Sequence, residues 1–90
     1  MSAVSREVEI RNKRGLHARA SAKFVNIASQ IDVKIEVEKD GHRVCGTSIM
    51  GLMMLGAAIG DSFVIHVDGM GSGTALERLV TLVEDRFGEE

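Results

Sequence analysis

Hydrophobic and polar positions change period several times along this chain, and each change marks an element. Val4, Val8 and Ile10 fall on one face of an alternating stretch with Ser5, Glu7 and Glu9 on the other, the pattern of a half-buried strand. Lys13-Arg14-Gly15-Leu16 then reads as a loop with a turn-forming glycine. From His17 the period becomes helical: Ala20, Phe24, Ile27, Ala28 and Ile31 share a face and predict a helix near 17–29. Val33, Ile35 and Val37 alternate with Lys34, Glu36 and Glu38 in a second strand. Asp40-Gly41 breaks that strand, and an Asp-Gly pair between strand-like segments is a hairpin signal because both turn positions need positive φ.

A short third strand follows at roughly 42–45. Thr47 and Ser48 are good helix caps ahead of a short apolar helix from Ile49 to Leu55. Phe63, Ile65 and Val67 alternate with Val64, His66 and Asp68 in a fourth strand. Leu76, Leu79, Val80 and Val83 form the stripe of a closing helix near 73–86. The order is β-α-β-β-α-β-α. Two split crossovers of this kind predict an α+β fold with one antiparallel sheet and its helices on one face. A length of 90 residues with no linker, repeat or low-complexity segment predicts a single domain over 1–90.

Composition narrows the functions available. A formal charge of −2 with three Phe, no Trp and no Tyr is wrong for a nucleic-acid binder, which needs a basic stripe and often stacking aromatics. No apolar run reaches transmembrane length, and Met1 to Glu7 lacks a hydrophobic signal core. Cys45 is the only cysteine, so no intrachain disulfide forms and a reducing compartment fits. The expectation is a cytoplasmic monomer without metal or cofactor.

The chemistry is concentrated in Gly15-Leu16-His17-Ala18-Arg19. His17 stands where a loop becomes a helix, and a first helical turn offers free N–H groups and partial positive charge to an anion. A neutral imidazole is a competent nucleophile. Arg19 is two residues away, and its guanidinium suits phosphate oxygens. The same residues also fit an exposed histidine at a helix start beside an unrelated arginine. Ser48 likewise reads as an ordinary N-cap.

These residues carry a resemblance. Gly15-Leu16-His17-Ala18-Arg19, followed by Ala22-Lys23-Phe24-Val25, resembles the phosphohistidine signature of the HPr family of the bacterial phosphotransferase system. Thr47-Ser48-Ile49-Met50-Gly51-Leu52-Met53-Met54-Leu55-Gly56 resembles that family's second signature, at the family's spacing. The resemblance implies an HPr-like open-faced sandwich, a four-stranded antiparallel sheet with three helices on one face. It implies a phosphocarrier and not an enzyme. Phosphoenolpyruvate phosphorylates Enzyme I, the δ nitrogen of His17 accepts the phosphoryl group, Arg19 neutralises it, and an EIIA-type protein receives it. By the same resemblance Ser48 is the regulatory serine, a target for an HPr kinase/phosphorylase, and Ile49, Met50 and Met53 are the docking patch. The second helix is apolar nearly all round, more than one side of a small sheet can cover, so part of it should face solvent.

The sequence departs from the family in having Ala20 where a proline normally follows the arginine, and it contains no proline. Alanine suits a first helical turn, so the change bears on the subfamily more than on the chemistry. With the Met-rich helix it inclines the reading toward the nitrogen-type regulatory branch over sugar uptake. Two other classes remain in view: a regulatory binding module read through the phosphorylation of His17 or Ser48, and a small-molecule-binding α+β domain. Elsewhere the expectations are plain. Gly69-Met70-Gly71-Ser72-Gly73 is a flexible loop without the Lys of a P-loop, His42, Cys45 and His66 hold surface or strand places, and Glu84, Asp85, Glu89 and Glu90 form a solvated acidic end.

Overall fold

The computed structural model describes residues 3–89. Strands β1 (Ala3–Glu9), β2 (Lys34–Lys39), β3 (His42–Cys45) and β4 (Ser62–Asp68) form one antiparallel sheet in the order β1-β4-β2-β3. Helices α1 (Ala18–Ser29), α2 (Ile49–Met54) and α3 (Ser72–Glu84) complete the expected β-α-β-β-α-β-α order. The Asp40-Gly41 turn has φ of 52° and 82°, the paired positive values that the dipeptide predicts.

The alternation sorts the sheet's faces as read. Phe63, Ile65 and Val67 are buried, as are Ile35 and Val37, while Val64, His66, Glu36 and Glu38 lie toward the open face. Against the covered face pack Ala20, Phe24 and Ala28 of α1, Leu52 of α2, and Leu76, Leu79, Val80 and Val83 of α3. Each such large side chain removed from water stabilises the fold by about 1.5–3 kcal/mol.

The strand and helix ends differ from the expectation in four places. Val4 is exposed although it shares a face and an edge strand with buried Val8. Ile10 is buried beyond the end of β1, in a loop that exchanges backbone hydrogen bonds with Asp61 and Gly60. The glycine-rich loop is shorter than expected, since Ser72 and Gly73 already belong to α3 behind the left-handed cap Gly71. Finally, α3 stops at Glu84 and not near 86. Arg86, Phe87 and Gly88 then take φ of 56°, 54° and 74° in a single 3-10 turn. That left-handed run costs roughly 1–2 kcal/mol for each of the two non-glycine residues, and complete burial of Phe87 offsets it.

Candidate functional site

His17 is the N-cap of α1, not its first helical residue as the periodicity implied. Its backbone is extended (φ −74°, ψ −179°), and its ring Nδ1 accepts a hydrogen bond from the Arg19 N–H at 3.2 Å. The first helical bond runs from the Ser21 N–H to the His17 carbonyl at 2.9 Å. The imidazole therefore does what a Ser or Asp does at an ordinary N-cap, and its nitrogen faces the positive end of the helix. The loop that delivers it is held on both sides. Leu16 is buried, its N–H donates to the Ala57 carbonyl at 3.0 Å, and its own carbonyl accepts from Ser21 Oγ at 3.2 Å.

The other edge of the ring meets the chain's tail. His17 Nε2 lies 2.5 Å from Glu89 Oε2, and the two side chains are only 15% and 17% exposed. Glu89 Oε1 accepts from Asn12 Nδ2 at 3.0 Å, and the same fully buried amide donates to the Gly15 carbonyl at 2.8 Å. Lys23 Nζ donates to the Phe87 carbonyl at 2.6 Å and ties the tail to α1. Glu89 is thus not part of a solvated acidic end. Glu84 and Asp85 are exposed as expected, and Glu90 lies outside the described residues. Desolvation works against the Glu89 carboxylate. The hydrogen bonds from Asn12 and His17, with the nearby charges of His17 and Lys23, outweigh it and hold the acid below its ordinary value. With Nδ1 accepting from Arg19, a neutral His17 carries its proton on Nε2 and donates it to Glu89.

The remaining expected site residues lie on the adjoining surface. Arg19 is exposed and its guanidinium pairs with no carboxylate among the described residues. It lines a shallow groove with Ala22, Lys23, Val25, Asn26 and Ile49, which brings the α1 and α2 signatures onto one face. Ser48 is the N-cap of α2, and its Oγ accepts from the Gly51 N–H at 3.0 Å. Of the apolar residues of α2, Leu52 is buried, whereas Ile49, Met50 and Met53 are 40%, 69% and 41% exposed. Met54 is more open still at 80%, and the sequence reading left it out of the patch. Its neighbours in a second groove are Lys39, Asp40, His42, Val44 and Leu55.

Elsewhere the side chains have ordinary partners. His66 pairs with Glu38 across β4 and β2 at 2.9 Å, and exposed Cys45 Sγ lies 3.0 Å from Thr47 Oγ1. Among the described residues no cluster of His, Cys, Asp and Glu could hold a metal, and no helix is long and apolar enough to cross a membrane.

Comparison with known proteins adds the family. Residues 4–85 match the family model described as the PTS HPr component phosphorylation site. The phosphocarrier protein HPr of Neisseria meningitidis serogroup A is 46% identical over 86 residues, covering 96% of this chain and 97% of that protein. The phosphocarrier protein NPr of Shewanella violacea is 34% identical over 89 residues, covering 99% and 98%. The crystal structure of HPr-C-His from Thermoanaerobacter tengcongensis superposes with a TM-score of 0.89 at 44% identity, covering 100% of this chain and 99% of that one.

Proposed function

The chain belongs to the HPr family of phosphotransferase-system phosphocarriers, and from that premise we propose that it accepts a phosphoryl group from phosphorylated Enzyme I on His17 Nδ1 and delivers it to an EIIA-type protein. The observation that carries this reading is the capping geometry of His17. Its Nδ1 lone pair points at the Arg19 N–H, so a phosphoryl group on that nitrogen meets the N–H groups and positive pole of α1. The group that caps the helix in the free protein becomes its anion when loaded.

The chemistry needs little from the protein beyond placement and charge. The Nδ1 lone pair attacks phosphorus in line as the donor's bond breaks, and the backbone amides take the oxygens. Arg19, exposed and unpaired with described carboxylates, is available to fold over the same oxygens as a bidentate counter-charge. Because the phosphoryl group must leave again, the site has to hold it near the surface. A histidine at a helix start, beside the α1–α2 groove, satisfies that need. Ile49, Met50 and Met53 are the partner contacts in this reading. Phosphorylation of Ser48 by an HPr kinase/phosphorylase sets negative charge at their edge. The carrier works in the cytoplasm as a monomer, and the identity of the EIIA acceptor sets whether it serves sugar uptake or nitrogen-type regulation.

The test is incubation with Enzyme I and phosphoenolpyruvate. Wild type should gain one acid-labile, base-stable phosphate, His17→Ala should gain none while remaining folded, and Arg19→Ala should transfer roughly tenfold or more slowly. A phosphorylated His17→Ala protein would end the assignment.

A further inference from the structure

Asn12 is a poor residue for a core. It is fully buried, and its Oδ1 has no hydrogen-bond partner among the described residues. A buried polar atom left unpaired is costly, and an aliphatic side chain of similar size would avoid that cost. What the amide does instead is hold Gly15. The Gly15 N–H donates to the Asn12 carbonyl at 3.2 Å and closes the turn over residues 12–15, while Asn12 Nδ2 donates to the Gly15 carbonyl at 2.8 Å. One residue thus grips Gly15 on both sides.

The grip fixes a peptide plane. The Gly15 carbonyl and the Leu16 N–H belong to one rigid unit. Asn12 Nδ2 holds its carbonyl end at 2.8 Å, and its N–H end donates to the Ala57 carbonyl at 3.0 Å. The next plane is held at the Leu16 carbonyl by Ser21 Oγ at 3.2 Å. His17 follows directly, with Nδ1 accepting from the Arg19 N–H. Gly15 sits at a φ of +66° and has no side chain to restrict it, so the restraint has to come from outside the residue.

From this arrangement we infer that Asn12 is a positioning residue for the phosphoryl-accepting histidine: its buried amide locks the Gly15–Leu16 peptide plane and so sets the direction in which His17 Nδ1 leaves the helix cap. The inference rests on the phosphocarrier reading above. Asn12 is buried and makes no hydrogen bond to the ring, so it acts through the loop and not through substrate or partner. Its second donor bond, to Glu89 Oε1 at 3.0 Å, is a separate contact and is not the one invoked. Both amide hydrogens face oxygens, so the isosteric aspartate would set a carboxylate against two acceptors. Misplacing a reacting atom by about 1 Å can cost on the order of 10²-fold in rate, which gives a loop restraint its leverage.

The experiment measures phosphoryl transfer from phosphorylated Enzyme I, with KM and kcat separated, and the amide NMR spectrum of the free protein. The proteins are wild type, Asn12→Ala, Asn12→Asp, Glu89→Ala and the double variant of Asn12→Ala with Glu89→Ala, each well below its melting temperature. Asn12→Ala should keep KM near wild type and lower kcat about tenfold or more. Its Arg19 amide proton should move upfield as the bond to Nδ1 loosens, while the amides of β4 keep their wild-type shifts. Asn12→Asp keeps the shape without the donors and should be at least as slow. The loss in kcat should recur in the Glu89→Ala background. Four results overturn the inference: a wild-type kcat in Asn12→Ala or Asn12→Asp, a raised KM at unchanged kcat, an unmoved Arg19 amide, or no further loss when Asn12→Ala is added to Glu89→Ala. The wild-type arm keeps the premise separate, since a wild type that accepts no phosphate refutes the carrier reading, and the inference with it.

Discussion

Gly15 turns beneath the Ala57 carbonyl at a φ of +66°, and a Cβ on it would lie 2.3 Å from that oxygen. The loop that delivers His17 and the loop that leaves α2 therefore touch through a contact that only glycine permits. Gly15→Ala adds a left-handed penalty and a backbone clash, together about 3 kcal/mol. Denaturant unfolding should register that loss, and phosphoryl acceptance should fall with it even in the folded fraction, since the histidine moves with the loop.

Ser48→Asp should leave the fold nearly intact. Aspartate caps a helix about as well as serine, and the acceptor for the Gly51 N–H is retained. The added charge must be desolvated when a partner covers α2, so affinity for Enzyme I should drop by about tenfold or more at unchanged melting temperature. Equal affinity for both proteins would remove Ser48 from the docking edge.

Met50 and Leu52 make a matched pair on one short helix. Met50→Ser acts at a site 69% exposed and should change stability by less than about 0.5 kcal/mol while weakening Enzyme I or EIIA binding. Leu52→Ala empties a fully buried position and should cost about 2–5 kcal/mol of folding free energy. Calorimetric melting and titration of both variants separate the two roles. Normal binding by Met50→Ser would move the docking surface elsewhere.

The tail contact gives stability a defined acid limb. Glu89 is held below its ordinary 4.5 despite desolvation, because Asn12 and His17 bind its ionised form. A carboxyl with a depressed folded-state pKa contributes stability above its unfolded value and loses that contribution as pH falls through the folded one. The difference in stability between wild type and Glu89→Ala should therefore be present at neutral pH and shrink below 4.5. A difference that persists unchanged to the acid end would place the variant's effect in packing and not in the carboxylate.

The local elements were legible because their causes are local. Period-two alternation marked β2 and β4, period 3.6 marked α1 and α3, and Asp40-Gly41 marked the hairpin, each through backbone preferences that a few neighbouring residues impose. The two signatures pointed to His17, Arg19 and Ser48, and the excess of apolar residues on α2 predicted that some would face water, as Ile49, Met50 and Met53 do. Met54 escaped because local pattern does not say how far a short helix tilts out of the core.

Only the tertiary structure decided what stands behind the histidine. Phe87 lies beyond the α3 stripe that the pattern gives, which ends at Val83, yet it is fully buried. It gets there by a different path, through the left-handed turn at Arg86–Gly88 that ends the helix and swings Glu89 back to a residue 72 positions earlier. No periodicity encodes that contact. It exists because the core accepts the Phe87 ring, Lys23 takes its carbonyl, and Asn12 turns an amide toward the returning carboxylate. Those are partnerships between distant segments, decided only when the sheet and helices have brought them together.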